Sequence, residues 1–368
     1  MKKFFFFLIM TVSMLLTPIS LAQNSTKQSG LMLDISRRFY SVETIKQFID
    51  DIAQANGTFL HLHFADHENY ALESTFLNQR AENAIVQNGI YINPKTHKPF
   101  LTYEQIDQII RYAQEKKIEL IPEVDSPAHI KGILTLLRLE KGEDYVNQIA
   151  LNQDELNLDS PESLTMMKTL VDEVCYIFGY SAQHFHIGGD EFNYASNFIR
   201  YVNALNQHIN QKGLITRMWN DGLLQQNIDE LDKNIEITYW SFDGDAQEKN
   251  DIVERRATRI SLPTLLDKGF KALNYNSYYL YFIPKDNGNI ATDAKFALND
   301  LKQNWQLLRW DGNYETQPIQ QAENLIGAAF SIWGEHAGKL SDDVIHQATS
   351  PLIQAAIIQT NAKTTAPN

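Results

Sequence analysis

At 368 residues, with 43% hydrophobic and 21% charged side chains, the chain has the length of one large barrel or two ordinary domains, and a composition that buries a full core. A formal net charge of −13 makes nucleic acid a poor partner and a cationic polymer a better one. The one cysteine, Cys175, forms no intramolecular disulfide; it falls in the apolar helical run Leu170–Phe178 and reads as a small buried hydrophobe.

The chain opens on Lys2 and Lys3, an apolar run from Phe4 to Leu16, and small residues at Ser20 and Ala22. That order predicts a secretory signal over 1–22, too short to span a bilayer comfortably, and hence an extracellular protein. Removing the two lysines leaves the mature chain more acidic. Residues 23–30 read as a polar, flexible leader, 31–358 as one domain and 359–368 as a disordered tail.

From Leu31 onward, apolar β-rich runs alternate with helical patterns. Strands are expected at Leu31–Ile35, Phe59–Phe64, Ile118–Val124, His184–Ile187, Thr216–Trp219, Ile235–Trp240, Lys271–Asn276 and Ala328–Trp333. Helices are expected at Val42–Ala55, Tyr103–Lys116, Ile130–Leu139, Pro161–Phe178, Ala195–Gln211, at Leu262 and at Asp342–Ile358. Eight strand–helix repeats predict an α/β fold, a single parallel (β/α)8 barrel with its site at the C-terminal strand ends. The long stretches 65–102 and 279–325 are expected on that same face.

Chemistry gathers at those ends. Arg37 follows the first strand and Asp66-His67-Glu68 the second. Glu123, Asp125 and His129 follow the third, and Gly188-Gly189-Asp190-Glu191 the fourth. Trp219, Trp240 and Trp333 end the fifth, sixth and eighth. Indole rings stack on the apolar faces of sugars, so three at converging ends predict a sugar-binding cage. Adjacent carboxylates in a dry pocket push one pKa up, and a raised Glu suits a general acid. Two His-x-His pairs, His61/His63 and His184/His186, keep a metal-dependent amidohydrolase open as an alternative. Their place among apolar neighbours before the strand ends favours core histidines, and no metal or other cofactor is expected. A non-catalytic carbohydrate-binding barrel is the other alternative.

The run His186-Ile187-Gly188-Gly189-Asp190-Glu191 resembles the signature of family 20 β-N-acetylhexosaminidases. Leu60-His61-Leu62-His63-Phe64, Asn274 to Tyr281 and Ser331-Ile332-Trp333-Gly334-Glu335 are most similar to its dispersin-type members, which cleave β-1,6-linked poly-N-acetylglucosamine of biofilms. The resemblance covers about Leu31 to Ile358. It implies that Glu191 is the acid/base and that Asp190 orients the substrate's 2-acetamido group, whose oxygen attacks the anomeric carbon. It implies further that Tyr281 hydrogen-bonds that oxygen. Trp219, Trp240 and Trp333 would enclose the sugar and its acetyl methyl, Arg37 would hold O3 and O4, and Glu335 would hold O4 and O6. Asp66 and His129 would support the acid/base, while Tyr194 and Asp245 would reach further sugars. The implied partner is the polysaccharide alone, with no nucleic acid, no membrane after signal removal, and a monomeric enzyme.

Overall fold

The computed structural model describes residues 27–192, 196–312 and 317–362. The expected signal (1–22), the start of the leader (23–26), Tyr194 and the end of the tail (363–368) lie outside the described residues.

Eight parallel strands close on themselves. They are β1 (Gln28–Asp34), β2 (Phe59–His63), β6 (Glu119–Glu123), β7 (His184–His186), β8 (Ile215–Trp219), β9 (Glu236–Tyr239), β10 (Ala272–Asn274) and β12 (Leu325–Ile332). Each pairs with the next in that order, and β12 pairs back onto β1, with Gln28 opposite Gly327 and Leu33 opposite Ile332. A barrel so closed has no exposed sheet edge. The two-residue β11 (Tyr281–Phe282) adds to the end of β12, with Tyr281 opposite Ser331.

Alternation within β2 explains the layering. Leu60 and Leu62 pack outward into the main core, and Phe59 packs inward beside Met32, Ile121 and Trp219. His61 and His63 share the inward parity of Phe59, so they face the barrel axis. The helices α1 (Val42–Gln54), α2 (Tyr103–Glu115), α5 (Pro161–Phe178), α6 (Phe198–Asn210) and α11 (Asp342–Asn361) bury apolar stripes such as Ile45, Phe48, Ile49 and Ile52. Ser41 caps α1, and Thr102 with Gln105 forms a capping box on α2.

Several boundaries differ from expectation. The first strand starts at Gln28, inside the expected leader, because its backbone pairs with Gly327 and Phe59 on either side. The last helix runs to Asn361, past the expected tail boundary; Asn361 donates to Ser29 Oγ (3.2 Å) and anchors that end. The stretch 65–102 carries an antiparallel sheet of β3 (Ile85–Gln87), β4 (Ile90–Ile92) and β5 (Pro99–Phe100). Within 279–325, helix α10 (Ile290–Asn304) packs on α11 in the outer ring, so that stretch is only partly on the strand-end face. The short α3 (Lys131–Lys141), α4 (Glu143–Ile149), α7 (Lys249–Thr258), α8 (Leu262–Asp267) and α9 (Ser277–Leu280) complete the chain. Among the described residues no helix is long and apolar enough to cross a membrane.

Candidate active site

The C-terminal strand ends surround a cavity of about 430 Å³. Arg37, His67, His129, Asp190, Glu191, Trp240, Asp245, Tyr281, Ile283, Trp333 and Glu335 line it. Nine of the residues given site roles from the sequence therefore meet at one opening, and they come from six strand ends.

The turn after β7 sets the carboxylate pair. Gly188 and Gly189 take φ of 75° and 100°, and Glu191 itself takes 48°. A Cβ on Gly188 would lie 1.6 Å from Asp125 Oδ1, so only glycine lets the turn pass. The Gly189 N–H donates to that same carboxyl (3.1 Å). The turn buries most of the Asp190 side chain, 15% exposed, and leaves that of Glu191 40% exposed at the cavity.

Burial raises the proton affinity of Asp190; nearby His129 works against this, and Glu191 adds to it. Asp125, sealed behind it, is raised for the same reason, by burial first and by Asp190 second. Of the adjacent pair, the raised carboxyl is that of Asp190. Oδ1 of Asp190 is buried and accepts no hydrogen bond from the protein, which leaves it available to a substrate N–H.

A buried column leads from the barrel axis to Glu191. Glu123 is fully buried and accepts from His63 Nδ1 (2.6 Å) and the Trp219 indole N–H (2.7 Å), with His61 Nε2 at 3.1 Å and His186 Nδ1, which itself accepts from the Gly188 N–H, at 3.0 Å. Nε2 of His63 meets Asp66 Oδ2 at 2.8 Å. With a carboxylate on each nitrogen, His63 donates twice and carries a proton on both. Burial opposes that charge, yet Glu123 and Asp66 outweigh it and hold the imidazole protonated well above its usual range. Uncompensated burial of such an ion costs several kcal/mol, which two short carboxylate contacts offset. Asp66 also takes Arg37 Nη2 (2.6 Å) and lies 3.5 Å from His129 Nδ1. Burial alone would raise its carboxyl; donation from His129, His63 and His67 lowers it instead, so Asp66 is an anion. His129 Nε2 then stands 3.3 Å from Glu191 Oε2 and 3.8 Å from Asp190 Oδ2. Its imidazolium is favoured in spite of burial, first by Asp190 and then by Asp66 and Glu191.

Aromatic walls complete the cavity. Trp240 and Tyr281 stack at 6.1 Å with planes 9° apart, and Tyr281 meets Trp333 at 5.6 Å. Burial, with Asp190 second, keeps Tyr281 a neutral phenol and so a donor. The Trp240 N–H donates to Asp221, whose carboxyl burial pushes up to about 7. Arg37 lies over Trp333, 5.2 Å from the ring centroid. Asp34 fixes this corner: it accepts from Arg37 N (3.0 Å), Arg37 Nη1 (3.2 Å) and Gly334 N (3.0 Å). Burial raises the carboxyl of Glu335, next to that corner.

Three expected residues stand apart from the lining. Trp219 is 1% exposed and forms part of the floor, 6.2 Å from Trp333. Asp66 is buried behind Arg37 and His129 rather than open to the cavity. Tyr194 lies outside the described residues. Asp245 is at the rim, exposed and paired with Arg255 (2.6 Å). Glu123, Asp125, Asp221 and His67 stand at strand ends in the sequence but carry no assigned role there; the structure brings all four into or directly behind the site.

The His-x-His pairs have carboxylate partners. His61 and His63 meet at Glu123, and His184 lies between Glu119 (3.0 Å) and Glu236 (3.4 Å) at the opposite end of the barrel. His186 joins His61 and His63 at Glu123 (3.0 Å), but that cluster is sealed inside the barrel and leaves no open position of the kind an amidohydrolase centre requires.

Known proteins resemble this chain over most of its length. The sequence profile of the glycosyl hydrolase family 20 catalytic domain matches residues 28–347. The crystal structure of dispersin B superposes with a TM-score of 0.89 at 53% identity, covering 92% of this chain and all of that one. A β-hexosaminidase of Vibrio furnissii is 30% identical over 178 residues, 45% of this chain and 29% of that protein. β-Hexosaminidase subunit A1 of Dictyostelium discoideum is 23% identical over 344 residues, 86% of this chain and 56% of that protein. The chain thus spans little more than half, or less, of these two curated relatives.

Proposed function

The chain belongs to glycosyl hydrolase family 20, and on that footing we propose that it cleaves β-linked N-acetylglucosamine polymers, with β-1,6-linked poly-N-acetylglucosamine of biofilm matrix as the substrate. The observation that carries this reading is the buried, unpartnered Asp190 Oδ1 beside Glu191 in a cavity walled by Trp240, Tyr281 and Trp333. The dispersin B likeness, 53% identical over its full length, supports the choice of polymer.

In the proposed reaction the sugar's 2-acetamido N–H donates to Asp190, and the Tyr281 hydroxyl donates to the acetamido oxygen. That oxygen attacks the anomeric carbon as Glu191 gives its proton to the departing glycosidic oxygen. The bond to the leaving sugar breaks, and the cationic oxazolinium ring is offset by Asp190 at short range. Glu191, now a carboxylate, takes a proton from water, which opens the ring with net retention. Holding nucleophile and carbon in one molecule is worth several kcal/mol or more. His129, backed by Asp66, orients Glu191. Arg37 and Glu335 grip the ring hydroxyls, and Trp219, Trp240 and Trp333 enclose the ring and its acetyl methyl. Asp245, with Tyr194, contacts sugars beyond the scissile bond.

A non-catalytic binding barrel would not need an acid/base column reaching from Glu123 to Glu191. The acidic surface suits a partly deacetylated, cationic polymer, with weaker binding at high salt. Residues 1–22 serve as the signal that delivers one catalytic domain, a monomer, to the extracellular polymer. Product analysis after digestion of defined β-1,6 and β-1,4 N-acetylglucosamine oligomers tests the reading: faster cleavage of the β-1,6 series supports it, and cleavage of β-1,4 alone refutes the substrate assignment.

A further inference from the structure

Beside the cavity, behind His67 and His129, three polar atoms converge while their outer partners are already in place. Nδ1 of His67 and Nδ1 of His129 lie 3.1 Å apart. Oδ1 of Asp66 is 2.6 Å from the first and 3.5 Å from the second. In a tetrahedral site with bonds of about 2.0–2.1 Å, ligand atoms are about 3.3–3.4 Å apart. Two of the three edges are therefore near their bound length, and the third opens by less than about 1 Å.

Both Nδ1 atoms compete for one acceptor: Asp66 Oδ1 takes His67 at 2.6 Å, while His129 Nδ1 stands 3.5 Å from it and 3.1 Å from His67 Nδ1. A divalent ion among the three atoms takes the place of the Nδ1 protons.

The outer partners are those a metal site needs. His67 Nε2 lies 2.5 Å from Asp154, and His129 Nε2 lies 3.3 Å from Glu191. Oδ2, the other oxygen of Asp66, is held by Arg37 (2.6 Å) and His63 (2.8 Å). A carboxylate on the far nitrogen fixes the tautomer of a ligating histidine and raises its basicity. Both histidines have one. The ligands come from separate strand ends: Asp66 and His67 follow β2, His129 follows β6, and Asp154 lies between α4 and α5. His67 and His129 both line the cavity, so a fourth position opens into it. By contrast, His61, Glu123 and His186 are sealed inside the barrel, where Trp219 and Thr238 also engage them.

We propose that Asp66 Oδ1, His67 Nδ1 and His129 Nδ1 form a reversible site for a borderline divalent transition ion such as Zn²⁺, and that occupancy shuts the enzyme off. Two imidazoles, one carboxylate and an open position suit that class of ion. Binding releases the Nδ1 protons to solvent. It also fixes His129 and Asp66 on the ion and puts a double charge beside Glu191. The inhibitory half rests on the activity proposed above; the binding half does not.

The test uses untagged, metal-free protein. Zn²⁺ is titrated by calorimetry and Co²⁺ by its visible absorption, and cleavage of a chromogenic β-N-acetylglucosaminide is followed against Zn²⁺ in parallel. The parent is expected to bind one ion per chain in the micromolar range and to lose activity over the same range. His67→Ala weakens binding by on the order of 100-fold, and Asp154→Asn by about tenfold. The midpoint of inhibition, measured against each variant's own metal-free rate, moves with the binding. Melting temperatures confirm that the variants are folded. Absence of binding by the parent, or parent-like binding by folded His67→Ala, overturns the site. Binding without inhibition of an active enzyme overturns the regulatory half. Binding by a chain that cleaves no β-N-acetylglucosaminide supports the site and refutes the activity instead.

Discussion

Nε2 of His129 lies 3.3 Å from Oε2 of Glu191, and both residues take left-handed backbone, with φ of 59° and 48°. For non-glycine residues that conformation costs of order 1–3 kcal/mol each, and such strain collects where a site needs it. The contact orients the carboxyl and places a positive charge beside it. Replacing His129 by Gln keeps a polar side chain and removes the charge. We expect kcat to fall by about 10- to 100-fold with little change in KM, since the contact matters most as the proton moves. A rise in KM at unchanged kcat would mean that His129 serves binding instead.

Asp190→Asn separates chemistry from affinity. The amide retains the shape but not the charge that offsets the developing cation. The expected loss is about 10²- to 10³-fold in kcat, with a smaller effect on the affinity for an N-acetylglucosamine product. Normal turnover would remove Asp190 from the mechanism.

Gly188 admits no side chain. With φ at 75° and the Asp125 carboxyl 1.6 Å from where a Cβ would stand, Gly188→Ala has to shift the turn that carries Asp190 and Glu191. Destabilisation of about 2–4 kcal/mol by denaturant unfolding is expected, along with loss of most activity. A fully stable, active Ala variant would contradict the turn geometry.

Asp221 makes a pH prediction. Its carboxyl is raised to about 7 by burial, with Arg259 opposing and Asp190 adding to the rise. A folded pKa above the unfolded one gives stability that is complete below the unfolded value, about 3.9, and is lost as pH rises through the folded one. Asp221→Asn cannot ionise and still accepts from the Trp240 indole. The difference in melting temperature between variant and parent should therefore grow in favour of the variant from pH 4 to about 7 and then level off. A difference that is flat with pH would contradict the assignment.

What the sequence made legible follows from periodicity. Strands such as Phe59–His63 alternate cleanly, and Pro161–Phe178 carries a helical stripe behind a proline start. The elements that escaped have little contrast to read. The strands Ile85–Gln87 and Ile90–Ile92 are three residues long and not buried. Helix Lys249–Thr258 buries no residue, and Ile290–Asn304 buries only Ala294 and Leu301. The cavity residues were legible because strand ends converge in any closed barrel. The contacts made by the groups behind them were not. Asp125 matters through its contact with Gly189, and Asp221 through the Trp240 indole, and such pairings exist only once the turns are built.

Hydrolysis of an unactivated N-acetylglucosamine oligomer by Glu191→Gln tests the central claim most directly. A glutamine at 191 cannot protonate the leaving sugar, so the rate should fall by about 10²- to 10⁴-fold, while an aryl glycoside with an acidic leaving group, which needs no proton, loses much less. Oligomer cleavage by that variant at the parent's rate would contradict the account.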